Sequence, residues 1–197
     1  MDPRVTEFQC IMPLENILSV LKHGILSHER AAKLAHHSVA MQEVQERRDL
    51  KQVPRGLKLH QYANLYFHAR NPMMYKRKAD AAELCVLCVS LDVLKVEGVV
   101  LADCNASSDY VRFLPPKPAY DRFLDFDDIF ALNWTHPDDP IAEMRHRSRK
   151  CAEVLVPHVV EPRFIVGARV VNEATKRRLE GLGFGLRITI DPVLFFR

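Results

Sequence analysis

Apolar and polar positions change period several times along the chain, and each change marks an element. Residues 6–12 are apolar enough for a first strand, closed by Pro13, which lacks the N–H a ladder needs. From Leu14 to His23, Ile17, Leu18 and Leu21 recur at helical spacing, and Gly24 supplies a C-terminal stop. Residues 28–58 are polar, His-rich and basic. Within them Val44 to Lys51 predicts a short helix and Val53-Pro54-Arg55-Gly56 a turn. Apolar and β-branched runs predict strands at Asn64–His68, Glu83–Leu91 and Gly98–Ala102. Residues 103–140, rich in proline and aspartate, predict no long regular element. Ala142–Lys150 reads as a helix that delivers Glu153 into a strand at Val154–Val156. A strand at Phe164–Val171, an amphipathic helix at Glu173–Leu182 closed by Gly183, and a strand at Leu186–Ile190 complete the pattern. Strands predominate and helices are peripheral, so the fold class is α+β. With no repeat and no linker, residues 1–197 are expected to form one domain.

Composition narrows the classes. Of 197 residues, 48% are hydrophobic and 27% charged, as in ordinary globular proteins. A net charge of +3 does not by itself demand a polyanionic partner. The cations, however, cluster at Arg47–Lys58, Arg70–Lys78 and Arg145–Lys150, runs that either follow phosphates or form solvated faces. The opening MDPRVTEFQC lacks the apolar core of a signal peptide, and no run approaches the roughly 20 apolar residues of a membrane span. Five cysteines, an odd number, suit a reducing compartment. The expected location is the cytoplasm, away from membranes.

Few local motifs carry chemistry. Cys85-Val86-Leu87-Cys88 lies in a strand-like run, where alternation sends the two thiols to opposite faces, so it reads as core and no metal site is expected. His36-His37 lacks a closing ligand set, and His136-Pro137-Asp138-Asp139 reads as a turn before a helix. Seven glycines and no Gly-rich loop argue against a phosphate cradle. Two features remain open. Tyr62, Tyr66, Tyr75, His60 and His68 interleave with Arg70, a mixture suited either to flat charged ligands or to core and edge packing. Glu153, a lone acid before an apolar segment, either neutralises the preceding cations or faces a cleft and stabilises developing positive charge.

The runs EVQERRDLKQVPRG and LHQYANLYFHARNPMMY, with CAEVLVP downstream and ENILSVLKHGILSH near the start, together resemble the DarT-type DNA ADP-ribosyltransferase toxin family. The resemblance covers nearly the whole chain. It implies an ADP-ribosyltransferase-like fold with a split central β-structure around an NAD cleft, and transfer of ADP-ribose from NAD to a base of single-stranded DNA. Guanine or thymine would accept it, the LKLHQYANLYFHARNPMMY version of the block pointing to guanine. A macrodomain antitoxin of the DarG kind would be the partner. The resemblance places the catalytic pair at Glu153 and Arg48, in preference to Arg47. It places NAD beside Cys10, Ile11 and Met12 through backbone groups, and beside Asn16, Ser19, Ser27 and Arg48. Several relatives carry His where this chain has Pro13 and Thr where it has Met12. Residues 30–50 correspond to a helical insertion over the cofactor and about 105–153 to a substrate-recognition loop, in which Tyr110, Phe113, Tyr120 and Phe123 would either stack on bases or pin the loop. Transfer to RNA or protein, or nucleic-acid binding without catalysis, are the alternatives.

Overall fold

The computed structural model describes residues 2–38, 42–116 and 122–197. Its frame is an eight-stranded sheet of β1 (Phe8–Pro13), β3 (Tyr62–Tyr66), β4 (Leu84–Val89), β5 (Val100–Ala102), β6 (Phe113–Leu114), β7 (Glu153–Pro157), β9 (Ile165–Val170) and β10 (Arg187–Ile190). The spatial order is β10-β9-β4-β1-β3-β7-β5-β6. A small second sheet pairs β2 (Ile25–Leu26) with β8 (Val159–Val160). Neighbours run antiparallel except β9 and β10, which are parallel and joined through helix α7 (Glu173–Gly181). Every residue of β4 is buried, because both faces of this central strand are covered. Its alternation separates the cysteines as expected. Cys85 packs in the cluster around Phe8, Leu65 and Phe67, while Cys88 on the other face lies beside Glu7 and Arg169.

One irregularity shapes the rest. Strand β1 pairs with β4 at all six of its positions, but with β3 only at Gln9–Tyr66. Beyond Gln9 the two central strands part, and the sheet is split by a cleft. The side chain of Gln9 fixes the apex: its Oε1 accepts from the Ala69 N–H at 2.7 Å and its Nε2 donates to Glu7 at 3.1 Å. Behind the apex, Phe8 meets Phe67 edge to face at 5.3 Å, so the strands are held together where they still touch.

Helices close the cleft and its surroundings. A 3₁₀ turn at Leu14–Asn16 leads into α1 (Ile17–His23), so the expected helix over 14–23 is α-helical only in its second part. One turn, α2 (His28–Ala31), follows, and then α3 (Gln42–Asp49). Among the residues of α3 whose burial is described, only Arg48 is buried. The helix therefore has no apolar face to anchor it and depends on polar ties. Strand β3 starts two residues earlier than its apolar pattern suggests, since its ladder with β7 runs from Tyr62–Pro157 to Tyr66–Glu153. The proline-rich region contains β6 and the short helix α5 (Phe126–Phe130), capped by Asp125, which accepts from the Asp128 N–H at 3.0 Å. Helix α6 (Pro140–Arg149) starts where His136-Pro137-Asp138-Asp139 predicts, with Asp139 accepting from the amides of Ile141 and Ala142. Among the described residues no helix is long and apolar enough to cross a membrane.

Gly24 ends α1 at φ 80° and ψ −173°, a region open essentially to glycine alone. A Cβ there would lie 2.2 Å from the Val160 carbonyl oxygen, in the strand that β2 must pair. Gly24→Ala is expected to cost about 2 kcal/mol or more, from backbone strain of about 1–3 kcal/mol plus displacement of the β2–β8 pair. Chemical denaturation measures it, and an unchanged midpoint would contradict this account.

Candidate active site

The cleft between β1 and β3 opens into a cavity of about 310 Å³. Cys10, Ile11 and Met12 form the β1 wall, Tyr62, Asn64 and Tyr66 the β3 wall, and α3 and the residues after β1 rise above them. Glu153, the first residue of β7, reaches the cavity from the strand beside β3, registered with Tyr66 on one side and Ala102 of β5 on the other. It is 2% exposed. A carboxylate with so little access to water must find its partners in the protein.

It has three contacts from two groups. Oε1 accepts from Arg48 Nη1 at 3.1 Å and from the Ala106 N–H at 3.0 Å, and Oε2 accepts from Arg48 Nη1 at 2.9 Å. The Ala106 amide is aimed by its neighbour Asn105, whose Oδ1 accepts from the Ser107 N–H at 2.9 Å and the Ser107 hydroxyl at 2.8 Å. This Asx-type turn is tied to α6, because the Asn105 N–H donates to the Ser148 carbonyl at 3.0 Å. The cation comes from a helix with polar ties to its surroundings. Asp49 faces His60 Nδ1 at 3.3 Å, and Lys51 Nζ reaches Asp109 at 3.0 Å and the Ser108 carbonyl. His28 lies against the His60 ring at 4.3 Å. Burial, and then the neighbouring His60, His36 and Arg48, pull the pKa of His28 down, so the cavity wall presents a neutral imidazole. Burial first, and Glu153 second, push the Tyr66 phenol well above its ordinary range, so it stays protonated.

Of the residues expected around NAD, Cys10, Ile11, Met12, Asn16, Ser19 and Arg48 line the cavity together with Glu153, and Ser27 does not. Ser27 is fully buried; its hydroxyl accepts from the Arg30 N–H at 3.4 Å as the cap of α2, and its N–H donates to the His158 carbonyl. The Asn16 side chain grips the backbone of His37 by both its groups, at 2.7 and 3.0 Å, and so fastens residues 36–38 over the cavity. Arg47 is exposed beside the buried Arg48. The basic run 145–150 is not one surface. Arg147 lines the cavity, Arg149 pairs with Asp125 and Asp128, and Lys150 is fully buried, donating to the carbonyls of Ile129 at 2.8 Å and Ala131 at 2.6 Å. Of the loop aromatics, Tyr110 is exposed, Phe113 is half-buried in β6 and Phe123 sits under Arg112. Tyr120 lies outside the described residues. The Ala106 amide carries no residue-type signal; only the Asx-forming Asn105-Ala106-Ser107 stretch could have pointed to it. Among the described residues, no cluster of three His, Cys, Asp or Glu could hold a metal ion.

Comparison with known proteins agrees with this architecture. The model of a family described as "ssDNA thymidine ADP-ribosyltransferase, DarT" matches residues 10–196. A DNA ADP-ribosyl transferase–DNA ADP-ribosyl glycohydrolase fusion protein of Thermosipho africanus is 26% identical over 206 residues, which are 100% of this chain and 51% of that protein. The chain thus spans about half the length of that curated relative. Thermus sp. 2.9 DarT in complex with ADP-ribosylated ssDNA superposes with a TM-score of 0.82 at 23% identity, covering 98% of this chain and 97% of the other. The same Thermus protein in complex with NAD+ gives 0.78 at 21% identity, covering 99% and 100%. These likenesses show the fold, α+β and ADP-ribosyltransferase-like.

Burial lowers the pKa of Lys150 from 10.5 to about 8. Between those values the unfolded chain holds a proton that the folded chain has lost, so stability rises with pH across that window. The stability of the protein relative to a Lys150→Met variant is expected to rise by about 2–3 kcal/mol between pH 8 and 10.5. Denaturation at both pH values measures it, and a difference independent of pH would contradict a cationic Lys150 held against its burial.

Proposed function

The chain belongs to the DarT family, and on that premise we propose that it transfers ADP-ribose from NAD to a base of single-stranded DNA, residues 1–197 forming one catalytic domain. The observation that carries this reading is the buried Glu153, oriented by Arg48 and the Ala106 N–H inside the cleft. The relatives solved with NAD+ and with ADP-ribosylated ssDNA have the same frame.

The chemistry suits one carboxylate. Nicotinamide bound to ribose is already cationic and departs neutral, so it needs no acid to protonate it, unlike the leaving group of an ordinary glycoside. As the bond to C1′ breaks, positive charge moves onto the ribose. Glu153 accepts the ribose 2′-hydroxyl hydrogen bond and stabilises that charge, an effect of about 3–4 kcal/mol by comparison with single-group deletions in other enzymes. The Ala106 N–H keeps one carboxylate oxygen in place, leaving the other to face the sugar. Arg48 remains a cation throughout, because a guanidinium does not give up its proton at a usable pH. Its planar fork exchanges the Glu153 contact for the pyrophosphate or the acceptor base when the cleft fills. The base nitrogen bonds to C1′ and loses its proton, so NAD and base become nicotinamide, ADP-ribosylated base and one proton. Cys10, Ile11 and Met12 border the nicotinamide end through backbone groups, and Asn16 and Ser19 border the rest of the dinucleotide.

A single strand suits the site because its bases are already unstacked, which avoids the few kcal/mol needed to extrude one from a duplex. The acceptor is an amide or amino nitrogen, of thymine as the family description has it, or of guanine as the block at 57–75 suggests. Such a modification is toxic, and its natural counterpart is a macrodomain antitoxin; in the Thermosipho relative a DNA ADP-ribosyl glycohydrolase is fused to the transferase. Both would act in the cytoplasm.

Incubation with NAD and oligonucleotides that each offer one base type tests the reading. Intact-mass spectra should show one added ADP-ribose on thymine- or guanine-bearing strands and none on the others. Absence of the adduct on every strand, or its appearance on RNA or protein instead, would overturn it. Glu153→Gln should lower the rate by about 10²–10³-fold, with a melting transition that remains cooperative. Arg48→Lys, which keeps the charge but not the fork, should lower it less than Arg48→Ala.

A further inference from the structure

Beside the cleft, three segments assemble an aromatic surface that the site described above does not use. Tyr75 of α4 (Pro72–Lys76), Trp134 before α6, and Phe196 meet edge to face, with ring centroids 5.7, 5.2 and 5.9 Å apart. Cations lie on these rings. The Arg70 guanidinium stands 3.9 Å from the Phe196 centroid and Lys78 Nζ 4.0 Å from that of Tyr75. Arg70 also staples the segments, donating to the Leu132 carbonyl at 3.1 Å and to that of Val193. Arg197 donates to the Lys78 carbonyl at 2.7 Å, which brings a further cation to the rim. The apolar side chains are not hidden: Tyr75 is 45%, Leu132 63% and Val193 53% exposed. The carboxylate that acts on Arg70, Asp191, is itself engaged by Arg169 at 3.0 Å.

We propose that this surface binds the nucleotides flanking the acceptor base on the same single strand. The inference rests on the function proposed above. Helix α4 connects the two places, since Met73 and Lys76 line the cavity while Tyr75 joins the aromatic group. The surface thus lies about one helix width, roughly 10 Å, from the cavity. Rigid aromatic and guanidinium planes accept any base by stacking, and the surrounding cations attract the phosphates between them. A protein partner would have to bury those same cations against an acidic surface; a single strand supplies both the flat groups and the anions in one polymer. The pre-stapled rings also lose little freedom on binding.

Trp134 is the only tryptophan of the chain, so its emission reports on this surface alone. Titration of the full chain with a 12-nucleotide strand, without NAD, should quench that emission, and rising salt should weaken the response. A strand of three nucleotides centred on the acceptor should change it much less. Tyr75→Ala and Lys78→Glu should each raise the KM for the long strand about tenfold while leaving kcat, and the KM of the short strand, unchanged. Melting transitions of both variants exclude a folding defect. Emission that ignores the long strand, or variants that leave its KM unaltered although it is modified, would overturn the proposal and favour a protein ligand for this face. Quenching by a strand that never acquires ADP-ribose would instead leave the surface standing and refute the transferase reading.

Discussion

A carboxylate that is 2% exposed must take from the protein the hydrogen-bond partners that water would have given it. Here a guanidinium and one backbone amide supply them, from segments 105 and 47 residues away in sequence. The pairing is not a stability device in the usual sense, since burying two charges costs about as much as their attraction returns. What it gives is position. Glu153 is held level with the apex of the split, beside Tyr66, with one oxygen fixed by the Ala106 amide and the other met by Arg48 alone. Under the proposed function, a cationic transition state would find its counter-charge already aligned.

The surrounding fold follows from keeping that pair both dry and accessible. A continuous sheet would have filled the space between β1 and β3 with ladder hydrogen bonds. The single Gln9–Tyr66 pairing leaves that space open, and the Phe8–Phe67 contact prevents the split from spreading into the core. Over the opening lies α3, a helix without an apolar face, tied down through Arg48, Asp49 and Lys51. Polar ties of this kind exchange partners far more readily than buried methyl groups do. A dinucleotide that offers its own anions can therefore take over Arg48 without unpacking the core.

Much of the frame was legible in the chain. Strand β4 and helices α6 and α7 announce themselves through apolar runs, an Asp-Pro start and amphipathic spacing, all of which are local. Glu153 stood out as a lone acid before an apolar segment with two readings open, but its pairing with Arg48 was legible only through resemblance, because nothing between positions 48 and 153 says that they meet. Two features of the structure could not be read from residue type. Ser27, expected near the cofactor, caps α2 in this structure, a common use of serine that composition cannot separate from ligand binding. The run at 145–150 read as either a phosphate-following run or a solvated face, whereas a helix distributes consecutive residues around its axis, so Arg147, Arg149 and Lys150 serve the cavity, a carboxylate pair and two buried carbonyls in turn. The Ala106 amide was invisible because a backbone group has no letter in the sequence.

The chemistry turns on which atom Glu153 touches when the cleft is full. A crystal structure of the chain with a non-hydrolysable NAD analogue tests it directly. The account predicts a carboxylate oxygen of Glu153 within hydrogen-bond distance of the 2′-hydroxyl of the nicotinamide-bearing ribose, the Ala106 N–H contact retained, and the Arg48 guanidinium turned towards phosphate or acceptor. A dinucleotide seated elsewhere, with the Arg48–Glu153 pair intact and remote from it, would contradict the account.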